Sequence, residues 1–114
     1  MPVSTVLNLY EGNTDTITLT ITKAVDSTPE NLSGKTVEVY FKPTPSTADD
    51  DVTVTKLVSP DDITVVDAAG GIAQFVVPST VVDTTDQPAF WRCDVVSGSN
   101  RRTAMYGAVV IENL

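Results

Sequence analysis

Between Asp15 and Lys23 apolar and polar residues alternate without a break. Ile17, Leu19 and Ile21 fall on one side; Thr16, Thr18, Thr20 and Thr22 fall on the other. Successive side chains of a strand point to opposite faces, so this run predicts a strand with one buried and one wetted face. The same period recurs along the chain. Val3 to Leu9 predicts a short first strand. Lys35 to Lys42 predicts another, with Val37, Val39 and Phe41 on one face, and Pro43 stops it because proline cannot donate a ladder hydrogen bond. Asp51 to Val58 alternates through Val52 and Val54; Ile63 to Val66 and Ile72 to Val77 follow. Turn-forming clusters separate these runs at Tyr10 to Thr14, Asp26 to Gly34, Ser59 to Asp62 and Asp67 to Gly71. Pro78 to Asp83 predicts a single helical turn capped by Ser79, and Thr84 to Pro88 a loop.

The last stretch, Ala89 to Glu112, predicts two long strands joined at Ser97-Gly98-Ser99-Asn100, and it holds the only Trp and the only Cys. Ala89, Trp91, Cys93 and Val95 form its apolar face. A two-residue turn at Gly98-Ser99 places Gly at the first central position. It pairs Ser97 with Asn100, Cys93 with Ala104 and Trp91 with Tyr106. Ala104, Tyr106, Ala108 and Val110 are then expected in the core. Phe90, Met105, Val109 and Ile111 are left on an outer face, with Phe90 opposite Gly107. A three-residue turn would exchange the two sets. Two readings of the outer set stand: a protein contact surface, or a face covered by the N-terminal strand or a loop. On the first, Met105→Asp or Val109→Asp spares the fold while Trp91→Ala destroys it.

No segment carries a 3.6-residue period, and Val (18) and Thr (17), both branched at Cβ, dominate. Seven or eight short antiparallel strands with turn signals every ~8–12 residues predict an all-β, immunoglobulin-like Greek-key β-sandwich, a small barrel being the other arrangement. The 114 residues suit a single domain over residues 1–114.

Composition removes most chemistry. There is no His, so no Ser-His-Asp or Cys-His system in its usual form. One Cys without His cannot build a tetrahedral zinc site or a disulfide framework, and Cys93 reads as a core residue. Asp49-Asp50-Asp51, and Asp61-Asp62 with Asp67, carry oxygen ligands suited to Ca²⁺ but lack EF-hand spacing, so they read as solvated loops. Neither cofactor nor metal is expected, nor an enzyme. The net charge of −8 disfavours nucleic acid and anionic membranes. Arg101-Arg102 at the hairpin tip is too small a basic patch for nucleic acid and suits charge balance or a partner's acidic group. The N-terminus lacks a signal-peptide pattern and no apolar run reaches ~20 residues, so the expected product is a complete chain made in the cytoplasm.

The runs YEGNTDTITLTIT (Tyr10 to Thr22), NLSGKTVEVYFKP (Asn31 to Pro43), GGIAQFVVP (Gly70 to Pro78) and FWRCDVVSGSNRRTAMYGAVVIE (Phe90 to Glu112) resemble the N-terminal immunoglobulin-like domain of phage upper baseplate proteins and related virion modules. The resemblance implies a structural role in a tailed bacteriophage particle, with other virion proteins or copies of itself as partners and no small-molecule substrate. The family's domain anchors a larger protein. A chain ending on its last strand would suit a capsid decoration protein or an accessory of the neck, tail or baseplate. A carbohydrate-binding adhesion module is the other role. Its usual sign, aromatics in loops, is weak here, since all but Tyr10 fall on predicted strands.

Overall fold

In the computed structural model, residues 3–10, 15–23, 28–78, 81 and 88–112 are described. The turn expected at Tyr10 to Thr14, the helical turn after Pro78 and the loop from Thr84 lie largely outside them. Among the described residues there are nine strand segments: β1 (Val3–Ser4), β2 (Leu7–Tyr10), β3 (Thr16–Thr20), β4 (Thr36–Lys42), β5 (Thr55–Val58), β6 (Ile63–Asp67), β7 (Ile72–Val76), β8 (Phe90–Ser97) and β9 (Asn100–Glu112). They form two sheets, so the chain is the all-β sandwich that the alternation predicts. The larger runs β1-β9-β8-β4-β5, with β2 also on β9; the smaller runs β3-β7-β6.

The two sheets close on one core. Val37, Val39, Phe41, Trp91, Cys93 and Val95 point inward from β4 and β8, and meet Leu19, Ile63, Ala73 and Phe75 from the smaller sheet. Phe41 and Phe75 lock the layers together edge to face, 6.1 Å between centroids. Trp91, fully buried, spends its one polar group on a 2.8 Å bond from Nε1 to the Thr5 carbonyl.

Two elements depart from expectation. The predicted first strand is broken at Thr5 and Val6, and both halves pair with β9 in parallel, not antiparallel. Gly107 permits the close approach at the break: a Cβ there would collide with the Thr5 carbonyl oxygen. The N-terminal chain dips onto β9 at this bare backbone position and donates Thr5 N–H to the Tyr106 carbonyl. Second, the strand expected over Asp51 to Val58 begins only at Thr55. Asp51 Oδ1 accepts the backbone N–H and the hydroxyl of Thr53, which favours a turn over a ladder. Val52 is left 99% exposed.

Candidate contact surface

The β8–β9 hairpin decides which residues face outward. Its turn is the two-residue one expected, Ser97 opposite Asn100, with Gly98 at φ 61°. Pairing proceeds in step as far as Asp94 opposite Thr103. Ala104 is then an extra residue: Cys93 pairs with Met105, Arg92 with Tyr106, Trp91 with Gly107 and Phe90 with Ala108. One inserted residue is a β-bulge, and because the side-chain period is two, it exchanges the faces of everything beyond it.

The outer set expected for β9 is therefore corrected. Met105 (9% exposed) and Val109 (7%) lie in the core, and Ile111 packs against it. Val109 shares the interior with Leu7 and Leu9 of β2, which pairs beside β9 at the sheet edge and does not cover its outer face. Met105→Asp and Val109→Asp are accordingly core-breaking. Tyr106 (38% exposed), Val110 (40%) and exposed Ala108, expected inside, point outward. Phe90 alone of the four keeps an outward position, half-buried, its ring 6.4 Å from Tyr106. Phe90, Tyr106, Ala108 and Val110 form an apolar stripe on the large sheet's outer face, and exposed Val6 lies in the neighbouring link between β1 and β2.

Beside the stripe the same face carries a charged network that sequence inspection missed. Alternation sends Glu38, Tyr40 and Lys42 of β4 outward while Val37, Val39 and Phe41 face inward. On β8, Arg92 and Asp94 do the same opposite Tyr40 and Glu38. Asp94 is fully buried and accepts bonds from Arg92 Nε (3.0 Å), Arg101 Nη1 (2.9 Å) and Thr103 Oγ1 (2.9 Å). Glu38 takes the Tyr40 hydroxyl at 2.6 Å and Arg101 Nη1. Asp49 reaches over from the β4–β5 loop to bond Arg92 Nη2 (2.7 Å) and Lys42 Nζ. The Arg92 guanidinium also lies 4.5 Å over the Tyr40 ring.

The electrostatics follow from these contacts. Bonds from Arg92 and Lys42 hold the Asp49 carboxyl down to about 2. Burial would raise Glu38, but the bonds from Tyr40 and Arg101 outweigh it and leave it lowered. Burial, with Glu38 beside it, raises the Tyr40 phenol. Among the described residues no buried side-chain nitrogen or oxygen lacks a partner. The network is thus internally satisfied. Cys93 is buried and pushed up to about 12, chiefly by desolvation, so it is a core thiol and a poor nucleophile.

The acidic loops have local duties. Asp51 turns the chain at Thr53, Asp62 Oδ2 accepts the Val58 N–H, and Asp67 Oδ1 accepts the Gly70 N–H. The two tip arginines part company: Arg101 joins the network, while Arg102 donates to the Thr22 carbonyl at 2.9 Å and pairs with Glu30. Among the described residues no group of three or more His, Cys, Asp or Glu could hold a metal ion, and no helix is long and apolar enough to cross a membrane.

A signal for the bulge was present in β9. Arg101 and Thr103 are polar, whereas Met105, Gly107, Val109 and Ile111, two apart on the same count, suit an apolar face. The alternation changes phase at Ala104, which is where the extra residue sits.

No family model and no curated protein matches the sequence. Among solved structures 21 chains match. One is the N-terminal domain of ORF48 of phage TP901-1, with a TM-score of 0.63 and 13% identity, covering 98% of this chain and 90% of that one. At that identity the likeness is one of fold, and it spans both sheets.

Proposed function

We propose that this protein is a non-enzymatic structural component of a tailed bacteriophage particle, working by protein–protein contact. The observation that carries the reading is the fold shared with a phage protein's N-terminal domain over 98% of the chain. The surface is consistent with it: an internally neutralised sheet face bordered by the Phe90–Tyr106–Val110 stripe offers shape and apolar area for a partner. Its place is that of an accessory or decoration module on the capsid, neck or tail and baseplate. Its partners are other virion proteins or copies of itself, and it acts in the virion.

Mass spectrometry of purified virions made from the genome that carries this gene tests the reading. The chain should be present at a fixed ratio to the major structural proteins. Its absence from particles would overturn the proposal. Tyr106→Glu with Val110→Glu should leave the isolated protein folded and remove it from the particle. Normal incorporation of that variant would remove the stripe from the interface.

A further inference from the structure

Sheet edges are templates for pairing with another chain, and proteins blunt them with charges, bulges, prolines or short strands. Three of the four edges in this sandwich are blunted. On the larger sheet, β5 has only four residues and carries exposed Lys56. At its other side, β1 and β2 are short segments broken at Thr5 and Val6. On the smaller sheet, β6 has a register shift between Val65 and Asp67 and ends on a charge. The fourth edge, β3, is Thr-Ile-Thr-Leu-Thr, without charge or proline, and its register with β7 is unbroken.

The hydrogen bonds show which groups β3 leaves open. Val77 N–H donates to the Asp15 carbonyl and Ile21 N–H donates to the Gly71 carbonyl. Odd-numbered residues therefore bond toward β7, and Thr16, Thr18 and Thr20 turn their N–H and C=O groups away from it. The Thr22 carbonyl continues this outward row and is taken by Arg102. Among the described residues nothing pairs with the row at Thr16, Thr18 and Thr20.

We propose that β3 is a self-association edge that pairs antiparallel with β3 of a second copy about a two-fold axis at Thr18. The strand is a near-palindrome, which is what an isologous contact requires. In this register Thr18 meets Thr18 of the other copy, Thr16 meets Thr20, and Ile17 meets Leu19. The residues that face one another are the three whose backbone groups are open, so they exchange ladder bonds. Threonines lie opposite threonines on the wet face, and half-buried Ile17 gains an apolar neighbour. A chain of net charge −8 repels its own copies, and this uncharged strand brings no like charges face to face when two copies pair along it. The smaller sheets of two copies become one sheet, on the side of the molecule away from the Phe90–Val110 stripe.

The proposal deepens the contact-protein reading above and can fail separately from it. Sedimentation of the full chain across a concentration series is the test. Wild type should show a monomer–dimer equilibrium that does not weaken between about 0.15 M and about 1 M salt, because no charge pair holds it and salt screens the repulsion between copies. Thr18→Pro removes an N–H that the native ladder does not use, and should weaken dimerisation roughly tenfold or more while leaving the thermal midpoint unchanged at dilutions where wild type is monomeric. Thr18→Lys and Thr18→Glu should each be monomeric alone and dimerise when mixed, which covers the case of a proline variant that misfolds. A wild type monomeric throughout, or Thr18 variants that dimerise as wild type does, would overturn the edge assignment. Virion mass spectrometry would still decide the wider reading.

Discussion

The two halves of the β8–β9 hairpin obey different rules although they share one pair of strands. Between the turn and Ala104, local chemistry sets the register: Gly98 takes positive φ, Ser97 meets Asn100, and the polar side chains Asp94, Arg101 and Thr103 gather on the outer face. Beyond Ala104, packing sets it. Trp91 fills the core and bonds Thr5, Gly107 admits the N-terminal chain, and Met105 and Val109 close the interior. The bulge lets one strand satisfy both demands, a polar face near the turn and an apolar core further on. A strand can carry two alternation phases if one residue is sacrificed between them.

Neighbouring positions of β9 should respond most unequally to the same substitution. Val109→Asp buries an unpaired charge and loses apolar burial, for a loss of about 5 kcal/mol, comparable with the whole stability of a small domain. Val110→Asp, one residue on, should stay within about 0.5 kcal/mol. Urea unfolding of the two variants checks the bulged register directly; equal losses would mean that both faces are core.

Gly107→Ala is next. Its Cβ would collide with the Thr5 carbonyl, so the N-terminal strand must lift and expose Leu7 and Leu9, at a cost of about 3 kcal/mol. Faster amide exchange confined to residues 3–10 and their β9 partners is the expected signature. Asp94→Ala tests the other half. It leaves the Arg92 and Arg101 bonds unmade, and because both arginines retain solvent contact the loss should be about 2 kcal/mol. Thermal unfolding should register it with no change in the N-terminal strand's exchange.

The smallest effect is electrostatic. Asp49 is held at about 2, below its usual value, by Arg92 and Lys42. A depressed carboxyl stabilises the fold above its unfolded pKa, and that contribution is lost as pH falls toward the folded one. Glu38 is shifted in the same direction. The melting temperature should therefore hold near neutrality and decline from about pH 4 toward pH 2. Asp49→Asn should flatten part of that decline.

Much of the fold was legible along the chain because β-structure has a short period. The strict alternation of Thr16 to Thr20 gave one strand its inside and its outside with no tertiary information. Val37, Val39 and Phe41 were legible for the same reason. The β4 outer face was harder to read. Glu38 and Lys42 are buried, but by partners 63 and 7 residues away in sequence, at Arg101 and Asp49. No local pattern announces such pairings. The expected contact residues Met105, Val109 and Ile111 fell on the wrong side through an error of one residue, propagated by parity along the strand.

By itself, then, the order of residues determined the all-β class, most strand positions, the two-residue turn at Gly98 and the lack of His-based chemistry. Those depend on backbone propensity, period and composition, which are local. The phase change at Ala104 marked the place of the bulge, but the tertiary structure alone decided the parallel seating of the N-terminal strand on Gly107 and the Asp94–Glu38–Asp49 network. Each depends on groups brought together from distant parts of the chain, where volume and charge must be satisfied in the same place.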